Sequence, residues 1–344
     1  MSVSPNFDPA AAADAGAGIF GLPFDRAASR IVLLPVPFDA TTSYRPGTAD
    51  GPAALREASM QVDLFDRRFG RVYEQGIFME PISEKIRELS RRAAAAARPI
   101  IDAGGAEDGN REHAKLLAEV NAASEHINAF VYEHTARVLA EGKLPGLIGG
   151  EHSVPFGAIK AVAEKYPGVG ILHIDAHMDC RDAFEGFTWS HASIMHNVLS
   201  RLPNVAKLVQ IGIRDFSEDE VSFGAQHGAR VVTAFDEDWA QLQSGGTTFL
   251  KLCEQTIAQL PKDVYISFDI DGLDPSLCPH TGTPVPGGLS FHQATMLLDL
   301  VRKGRRVVGF DLVEVAPGSP SEPEWDANVG ARALYKLCGA SKSG

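Results

Sequence analysis

The stretch Val169–Asp179, VGILHIDAHMD, joins a strand pattern to three residues of metal-ligand type. Its first part, Val169–Ile174, is mostly apolar on both faces, which is typical of a parallel strand buried between two helix layers. Asp175, His177 and Asp179 follow at alternate positions, so a continued strand would place their side chains on one face. We therefore predict a buried parallel strand that leads into a metal site.

Short strand patterns alternate with amphipathic helices on both sides of this stretch. The predicted strands are Ile31–Val36, Gly76–Met79, Leu144–Ile148, Val169–Ile174, Leu208–Gly212, Arg230–Thr233, Val264–Phe268 and Val307–Leu312. The predicted helices are Ser83–Ala97, Glu112–Leu139, Val154–Lys165, Ser190–Leu202, Ser217–Gln226, Thr247–Gln259 and Ser290–Arg302. This alternation predicts one doubly wound, three-layer αβα domain of the α/β class, with its sites at the carboxyl ends of the strands. We expect residues 25–344 to form that domain and residues 1–24 to form an N-terminal arm.

Composition narrows the classes of function. The 344 residues are 44% hydrophobic and 22% charged, which excludes a disordered chain. A formal net charge of −12 disfavours nucleic acid and anionic membranes as partners, and fits small cationic ligands. The four cysteines form no CxxC pair, and we identify neither a signal peptide nor an apolar run of membrane-spanning length. We therefore expect a cytoplasmic protein.

Two more predicted strands lead into residues of the same chemical type. In VYISFDIDGLDP, Asp269 and Asp271 follow the strand Val264–Phe268 at alternate positions. Two carboxylates about 7 Å apart on one strand face repel each other unless a cation lies between them. In LIGGEHS, two glycines follow a strand and allow the backbone to bend, which presents His152 at the strand end.

The three clusters together predict a metal centre. They pool two imidazoles and four carboxylates, a set that is rich in oxygen and lacks sulfur. Such a set suits manganese, with nickel, cobalt, iron and zinc also compatible. Two divalent cations would balance the four carboxylates, and a water bridging them would have its pKa lowered towards neutrality. The residues therefore favour a dimetal hydrolase.

Two other residues point to the substrate. Glu314, in GFDLVEVAP, ends the last predicted strand, where its carboxylate could bind a planar cation such as a guanidinium through two hydrogen bonds. A helix cap or a local ion pair is the alternative role for this residue. His191, in FTWSHAS, could transfer a proton to a leaving amine, although a lone histidine there is more often structural.

The motifs GGEHS, DAHMD, SFDIDGLDP, TGTPVPGGLS and DLVEVAP occur in this order, and together they resemble the ureohydrolase family of arginases, agmatinases and guanidine hydrolases. The resemblance extends over residues 31–337. It implies an eight-stranded parallel sheet flanked by helices, two bound metal ions and assembly into trimers or hexamers.

The resemblance also implies roles for single residues. The metal ligands would be His152, Asp175, His177, Asp179, Asp269 and Asp271. His191 matches the family's loop histidine, and Glu314 matches the carboxylate that holds the guanidinium. A hydroxide bridging the two metals would attack the guanidinium carbon, and urea and an amine would leave. Asp179 is therefore counted with His191 and Glu314 among the residues that act in catalysis.

The sequence does not decide which guanidino compound is the substrate, because it departs from the family pattern in the loop before His191. The stretch CRDAFEGFTWSHAS lacks the SGNxHG loop with which animal arginases bind the amino-acid end of arginine. We expect agmatine or another small guanidine, including free or alkylated guanidine, with arginine and a formimidoylglutamase-type substrate as alternatives. Trp189 could form a wall of the substrate pocket or stack on a cation, although plain packing explains it as well.

Two other classes of protein compete with this hypothesis. A single-zinc amide hydrolase of the deacetylase kind shares the sheet architecture, but it needs only about three ligands. A non-catalytic or weakly active partner subunit of a hetero-oligomer would not need the complete ligand set together with His191 and Glu314. The complete set therefore favours an active enzyme, expected as a homo-oligomer, with a hetero-oligomer as the alternative.

Overall fold

The computed structural model describes residues 7–13, 16–319 and 324–342. Within these ranges the chain forms ten β-strands, two of which form a short antiparallel hairpin. The strands are β1 (Ile31–Val36), β2 (Phe65–Asp66), β3 (Gly70–Arg71), β4 (Ile77–Met79), β5 (Leu144–Gly149), β6 (Val169–Ile174), β7 (Val205–Ile213), β8 (Val231–Phe235), β9 (Asp263–Asp269) and β10 (Arg306–Val313).

Ten α-helices occur in the same described ranges. They are α1 (Gly51–Ala58), α2 (Glu84–Asp102), α3 (Arg111–Ala140), α4 (Phe156–Lys165), α5 (Ile194–Arg201), α6 (Glu218–Gln226), α7 (Asp236–Ser244), α8 (Phe249–Ile257), α9 (Phe291–Gly304) and α10 (Trp325–Ala340). Ser217 and Ser290 begin α6 and α9 with capping boxes, in which the serine side chain and a residue three positions later satisfy each other's free backbone N–H groups.

The main sheet confirms the predicted class. Eight strands pair in the order β4-β1-β5-β10-β9-β6-β7-β8, and every pairing is parallel. Helices α2–α6 cover one face, and α1 and α7–α10 cover the other. The central strands β5, β6, β9 and β10 are almost entirely buried, as expected for a parallel sheet between two helix layers.

Three helices escape prediction from periodicity. Helix α10 is buried almost all round, because it packs between the sheet and α1 and α9, so it has no polar face to give an amphipathic pattern. Helix α1 begins with Gly51 and Pro52, which indicate a turn in isolation. Helix α7 carries three acidic residues in its first turn and buries only Trp239.

The end of the predicted N-terminal arm packs into the domain. Ile19, Phe20 and Leu22 are at most 2% exposed and belong to the core on the α10 side of the sheet. The ring of Phe20 lies 4.9 Å from that of Tyr335. Residues 1–6 and 14–15 of the arm lie outside the described ranges, so an arm over residues 1–24 stays a prediction. None of the described helices is long and apolar enough to cross a membrane.

Candidate metal centre

Four neighbouring strands bring the candidate site together at their carboxyl ends. Strands β5, β10, β9 and β6 lie side by side in that order. His152 follows β5, Glu314 follows β10, Asp269 ends β9 and Asp175 follows β6. Because the strands are parallel, these residues from distant parts of the sequence meet at one edge of the sheet.

His152 faces three carboxylates. Its Nδ1 atom lies 3.0 Å from Oδ2 of both Asp175 and Asp179. The same atom lies 3.2 Å from Oδ2 of Asp269, is buried and has no hydrogen-bond partner among the residues that the structure describes. On the other side of the ring, Nε2 lies 3.0 Å from Ser267 Oγ, which fixes the ring orientation. A buried nitrogen without a partner, surrounded by carboxylate oxygens, is what a metal ligand requires.

His177 belongs to a second group beside the first. Its Nδ1 atom lies 3.1 Å from Asp271 Oδ2 and 3.4 Å from Asp175 Oδ1. Asp175 therefore contributes to both groups, with Oδ2 towards His152 and Oδ1 towards His177. Two adjacent groups of oxygen and nitrogen donors that share one carboxylate are compatible with a dinuclear metal site.

The four aspartates are at most 5% exposed, and within the described chain no lysine or arginine forms an ion pair with them. Burial, and then the charge of Asp271, raises the pKa of Asp269 well above its usual range. Burial and Asp175 raise the pKa of Asp179 to about 6. Burial lowers the pKa of His152, but the surrounding carboxylates outweigh it and raise the pKa overall. Divalent cations would relieve this repulsion, so the cluster is suited to a dinuclear metal site.

The local backbone differs from the sequence prediction. Strand β6 ends at Ile174, and Asp179 has a left-handed φ of 54°, so a continued strand does not align the three ligands. Instead, the loop after β6 turns back and brings the Asp179 carboxylate to His152. Asp271 likewise lies in a short 3-10 turn after β9. This turn needs glycine at 272, because a Cβ atom there would lie 2.8 Å from the backbone nitrogen of Asp175.

Glu314 is placed directly beside the metal ligands. Its Oε1 accepts a hydrogen bond of 2.7 Å from the backbone N–H of His152. The carboxylate is 6% exposed, and burial together with the nearby Glu151 raises its pKa well above the usual range. A cation next to Glu314, in addition to the metal ions, would stabilise its ionised form.

His191 lies in a short 3-10 turn, His191–Ser193, just before α5. Its backbone N–H donates to Thr41 Oγ1 at 3.0 Å, and its ring Nδ1 lies 3.3 Å from the same oxygen. Burial, and then the neighbouring His177, lowers the pKa of His191 to about 4. The imidazole is therefore neutral at physiological pH.

One small cavity of about 150 Å³ opens onto these side chains. It is lined by the predicted residues His152, His177, Asp179, His191, Asp269, Asp271 and Glu314. Asp175 lies beneath this surface and is fully buried.

Trp189 is not brought to this cavity. Its ring lies 4.7 Å from that of Phe156, and the Arg201 guanidinium lies 4.8 Å above it. These residues line a separate cavity of about 480 Å³ between α3, α4 and the end of α5. Ser190 begins the 3-10 turn with its side chain accepting from the backbone of Ala192. The chain changes direction there, so Trp189 and His191 serve different surfaces.

Several residues of the site were missed by the sequence analysis. Arg181 and Phe184 line the cavity, with the Arg181 guanidinium 4.7 Å above the Phe184 ring and its Nε 3.3 Å from Glu220 Oε2. Glu151 is fully buried next to His152. The sequence feature that could have identified Glu151 is the GGEHS motif, where a carboxylate comes two residues after an apolar strand.

His173 was also missed, because it lies inside a predicted apolar strand. Its Nε2 lies 2.7 Å from Asp175 Oδ2, and its Nδ1 lies 3.0 Å from Gln210 Nε2. Gln210 in turn accepts a hydrogen bond of 2.9 Å from Thr233 Oγ1. This chain across β6, β7 and β8 holds Asp175 in place from behind.

Comparison with known proteins identifies the family of this chain. The model of the Arginase family matches residues 29–339. Proclavaminate amidinohydrolase of Streptomyces clavuligerus is 33% identical over 83% of this chain and 80% of its own. N(1)-aminopropylagmatine ureohydrolase of Thermus thermophilus is 32% identical over 92% of this chain and 91% of its own. A solved structure of the Streptomyces clavuligerus enzyme superposes with a TM-score of 0.71 at 24% identity, covering 96% and 98% of the two chains.

Proposed function

Because the chain belongs to the arginase family, we propose that it hydrolyses a guanidino C–N bond in a small linear substrate and releases urea and an amine. The observation that carries this proposal is the cavity in which the His/Asp cluster and Glu314 face the same space. The His/Asp cluster is suited to binding metal cations, and the adjacent Glu314 carboxylate is suited to binding an organic cation. A urea-releasing hydrolase needs both of these in contact.

The residues around the cavity have distinct roles in this reaction. His152, Asp175, His177, Asp179, Asp269 and Asp271 would hold two divalent ions, which supply an activated water when bound. Glu314 accepts hydrogen bonds from the guanidinium and orients its carbon towards the metal ligands. His191, which is neutral and lines the same cavity, takes up a proton and passes it to the leaving amine.

The identity of the metal is part of the proposal. Four carboxylates and two imidazoles favour manganese, and nickel is the second candidate. Reconstitution of the stripped protein with each metal, followed by elemental analysis, would distinguish them.

Agmatine is the first substrate to test. The net charge of −12 and the buried acidic cavity favour cationic compounds, and the Thermus relative is named for an agmatine derivative. A cavity of about 150 Å³ suits a guanidino group and a short tail, so free and alkylated guanidines are the next candidates. Arginine and a formimidoylglutamase-type substrate stay as alternatives.

The direct test is urea release by protein stripped of metal and then loaded with manganese or nickel. The substrates are agmatine, arginine, 4-guanidinobutyrate, methylated guanidines and guanidine. Turnover of one guanidino compound is expected. Failure to release urea from every compound, with metal shown to be bound, would reject the proposed reaction.

Asp271→Ala tests whether the metals act as a pair. Asp271 faces His177 and also accepts the backbone N–H of Ala176 at 3.0 Å. The variant should stay folded, lose one of the two ions and lose urea release. Asp274→Ala is the matched control, since this half-buried aspartate lies three residues further on and its side chain accepts hydrogen bonds from Ser276 in its own turn. Full turnover by Asp271→Ala would exclude the dimetal mechanism.

Assembly and location complete the proposal. We expect a cytoplasmic homo-oligomer, trimeric or hexameric, with a hetero-oligomer as the alternative. The four cysteines are all free and buried, which agrees with a reducing compartment. Light scattering of the purified protein would test the assembly.

A further inference from the structure

Glu151 is a buried carboxylate for which the reaction just proposed has no use. It lies between Gly150 and His152, is fully buried and does not line the cavity. The chain accommodates it through glycine at 150, where a Cβ atom would lie only 1.9 Å from the backbone oxygen of Phe38. This close approach brings Glu151 against the loop that follows β1.

The carboxylate of Glu151 is saturated with hydrogen bonds from that loop and from its own turn. Its Oε2 accepts the backbone N–H of Thr41 at 2.7 Å. Its Oε1 accepts the Thr41 hydroxyl at 3.0 Å and the Ser153 hydroxyl at 2.6 Å. Thr41 is therefore held by two bonds to one carboxylate, in a fully buried position.

Thr41 in turn holds His191. Its hydroxyl oxygen accepts the backbone N–H of His191 at 3.0 Å and lies 3.3 Å from the ring Nδ1. These two contacts restrain both the backbone and the ring of His191. Nδ1 has a further contact with Ser190 Oγ at 3.5 Å. Within the described chain, Nε2 is the ring nitrogen that has no protein hydrogen-bond partner and is available to the cavity.

We propose that Glu151 is a positioning residue that acts through Thr41 to orient the His191 imidazole for proton transfer. The inference rests on the proposed function, in which His191 carries the proton. It gives Glu151, the acidic residue of the GGEHS motif, a role separate from metal binding. The link joins three segments, namely the end of β5, the loop after β1 and the turn before α5.

The first test is a set of matched variants assayed for urea release at full metal occupancy. Thr41→Val removes the hydroxyl and keeps the shape, while Thr41→Ser restores the hydroxyl. Thr41→Val should lower kcat by about 10- to 100-fold with little change in KM, since the Glu314 carboxylate stays in place, and Thr41→Ser should recover most of the rate. Glu151→Gln should lower kcat by a similar factor, and its KM is not diagnostic because Glu151 also acts on the nearby Glu314. Thr48→Val is the control, because this buried hydroxyl has no hydrogen-bond partner within residues 7–13, 16–319 and 324–342.

A double-mutant cycle separates positioning from general structural damage. If Thr41 acts only through His191, then Thr41→Val should cost nothing further in a His191→Gln background. An equal loss in both backgrounds would overturn the proposal, and so would loss of bound metal in Thr41→Val or Glu151→Gln.

Histidine NMR tests the link without depending on turnover. In protein loaded with zinc, which is diamagnetic, the ring signals of His191 are identified by their loss in His191→Gln. They should shift in Glu151→Gln and Thr41→Val and stay near the native position in Thr41→Ser and Thr48→Val. Unchanged His191 signals in Glu151→Gln would overturn the positioning role even if urea is released. Absence of urea release with shifted signals would instead reject the proposed reaction alone.

Discussion

Two residues of the site adopt a backbone conformation that is costly for their residue types. Asp179 has φ of 54° and Glu314 has φ of 61°, in the left-handed region where glycine is usually found. Such residues persist where the surroundings hold them, and they concentrate at functional sites. At Glu314 the holding contacts are visible, because its backbone N–H bonds to Gly150 and its carbonyl accepts from Thr281.

Glu314→Gln should remove most of the affinity for the guanidinium. The amide presents one acceptor in place of two charged oxygens, and a buried charge-assisted pair is worth a few kcal/mol. We expect kcat/KM to fall by about 100-fold or more, with metal content unchanged, as measured by urea release and elemental analysis. Glu218→Gln, an exposed substitution on α6, is the control. Unchanged affinity in Glu314→Gln would mean that another group binds the guanidinium.

Among the elements, the four central strands and the start of α6 determine the site. Ser217 and Glu220 form the capping box of α6. The Glu220 carboxylate also accepts the backbone N–H of Cys180 at 3.0 Å and contacts Arg181. Because Cys180 follows Asp179, this helix start supports the loop that carries the metal ligands.

Ser217→Ala should therefore affect both stability and activity. Loss of the cap should cost about 1 kcal/mol of unfolding free energy. The substitution also removes the hydrogen bond between Ser217 Oγ and the Glu220 carboxylate. Because Glu220 then restrains the loop at Cys180 less firmly, kcat should fall several-fold. Ser290→Ala removes the other capping box, at the start of α9, and makes a matched control that should lose similar stability at unchanged kcat. Urea denaturation and urea-release assays measure the two effects, and equal kcat values for the two variants would contradict the link to the loop.

The short hairpin β2–β3 is tied to α10 by an ion pair between Asp66 and Lys336. Burial works against the ionised form, but Lys336 and the backbone N–H groups of Phe69 and Arg68 outweigh it and lower the pKa of Asp66. A lowered pKa in the folded state means that the folded chain binds fewer protons than the unfolded chain. The resulting stability is present above the usual aspartate pKa and is lost as the pH falls through the lower, folded value.

Asp66→Asn should consequently be less stable than the native protein by about 1.5 kcal/mol at pH 7. The difference should shrink as the pH falls below the usual aspartate pKa and then through the lower, folded value, below which the native aspartate is protonated as well. Urea denaturation at a series of pH values measures this difference. A gap that is independent of pH would show that the carboxylate charge contributes nothing to stability.

For the whole molecule, the buried acidic cluster predicts that metal and fold are coupled. Without cations, the four buried carboxylates repel one another at the carboxyl ends of the central strands. Bound metal relieves this repulsion in the folded state and has no such site in the unfolded state, so metal binding stabilises the fold. Protein treated with a chelator should melt at a lower temperature, and manganese at about 1,000 times its Kd should restore about 4 kcal/mol. The same titration on Asp271→Ala should give a smaller gain. An identical melting temperature with and without metal would contradict the coupling.

The sequence alone allows much of this architecture to be predicted. Six of the predicted strands, such as Val169–Ile174, lie within one residue of their structural bounds at both ends, because buried parallel strands are continuous apolar runs. The candidate ligand residues could also be selected from the sequence, since carboxylates and imidazoles rarely follow such runs without a partner. The buried helix α10 could not be identified, because burial on all sides removes the periodic signal.

The sequence by itself determined which residues offer donor groups for metal and guanidinium, since residue type and position after a strand specify donor chemistry. Only the tertiary structure decided that β5, β10, β9 and β6 lie side by side, and that Trp189 serves a different surface from His191. It also joined Thr41, Glu151 and His191, which are 40 or more residues apart in the chain. The physical reason is that local periodicity encodes which face of an element is buried, whereas contacts between distant segments depend on the strand order of the assembled sheet.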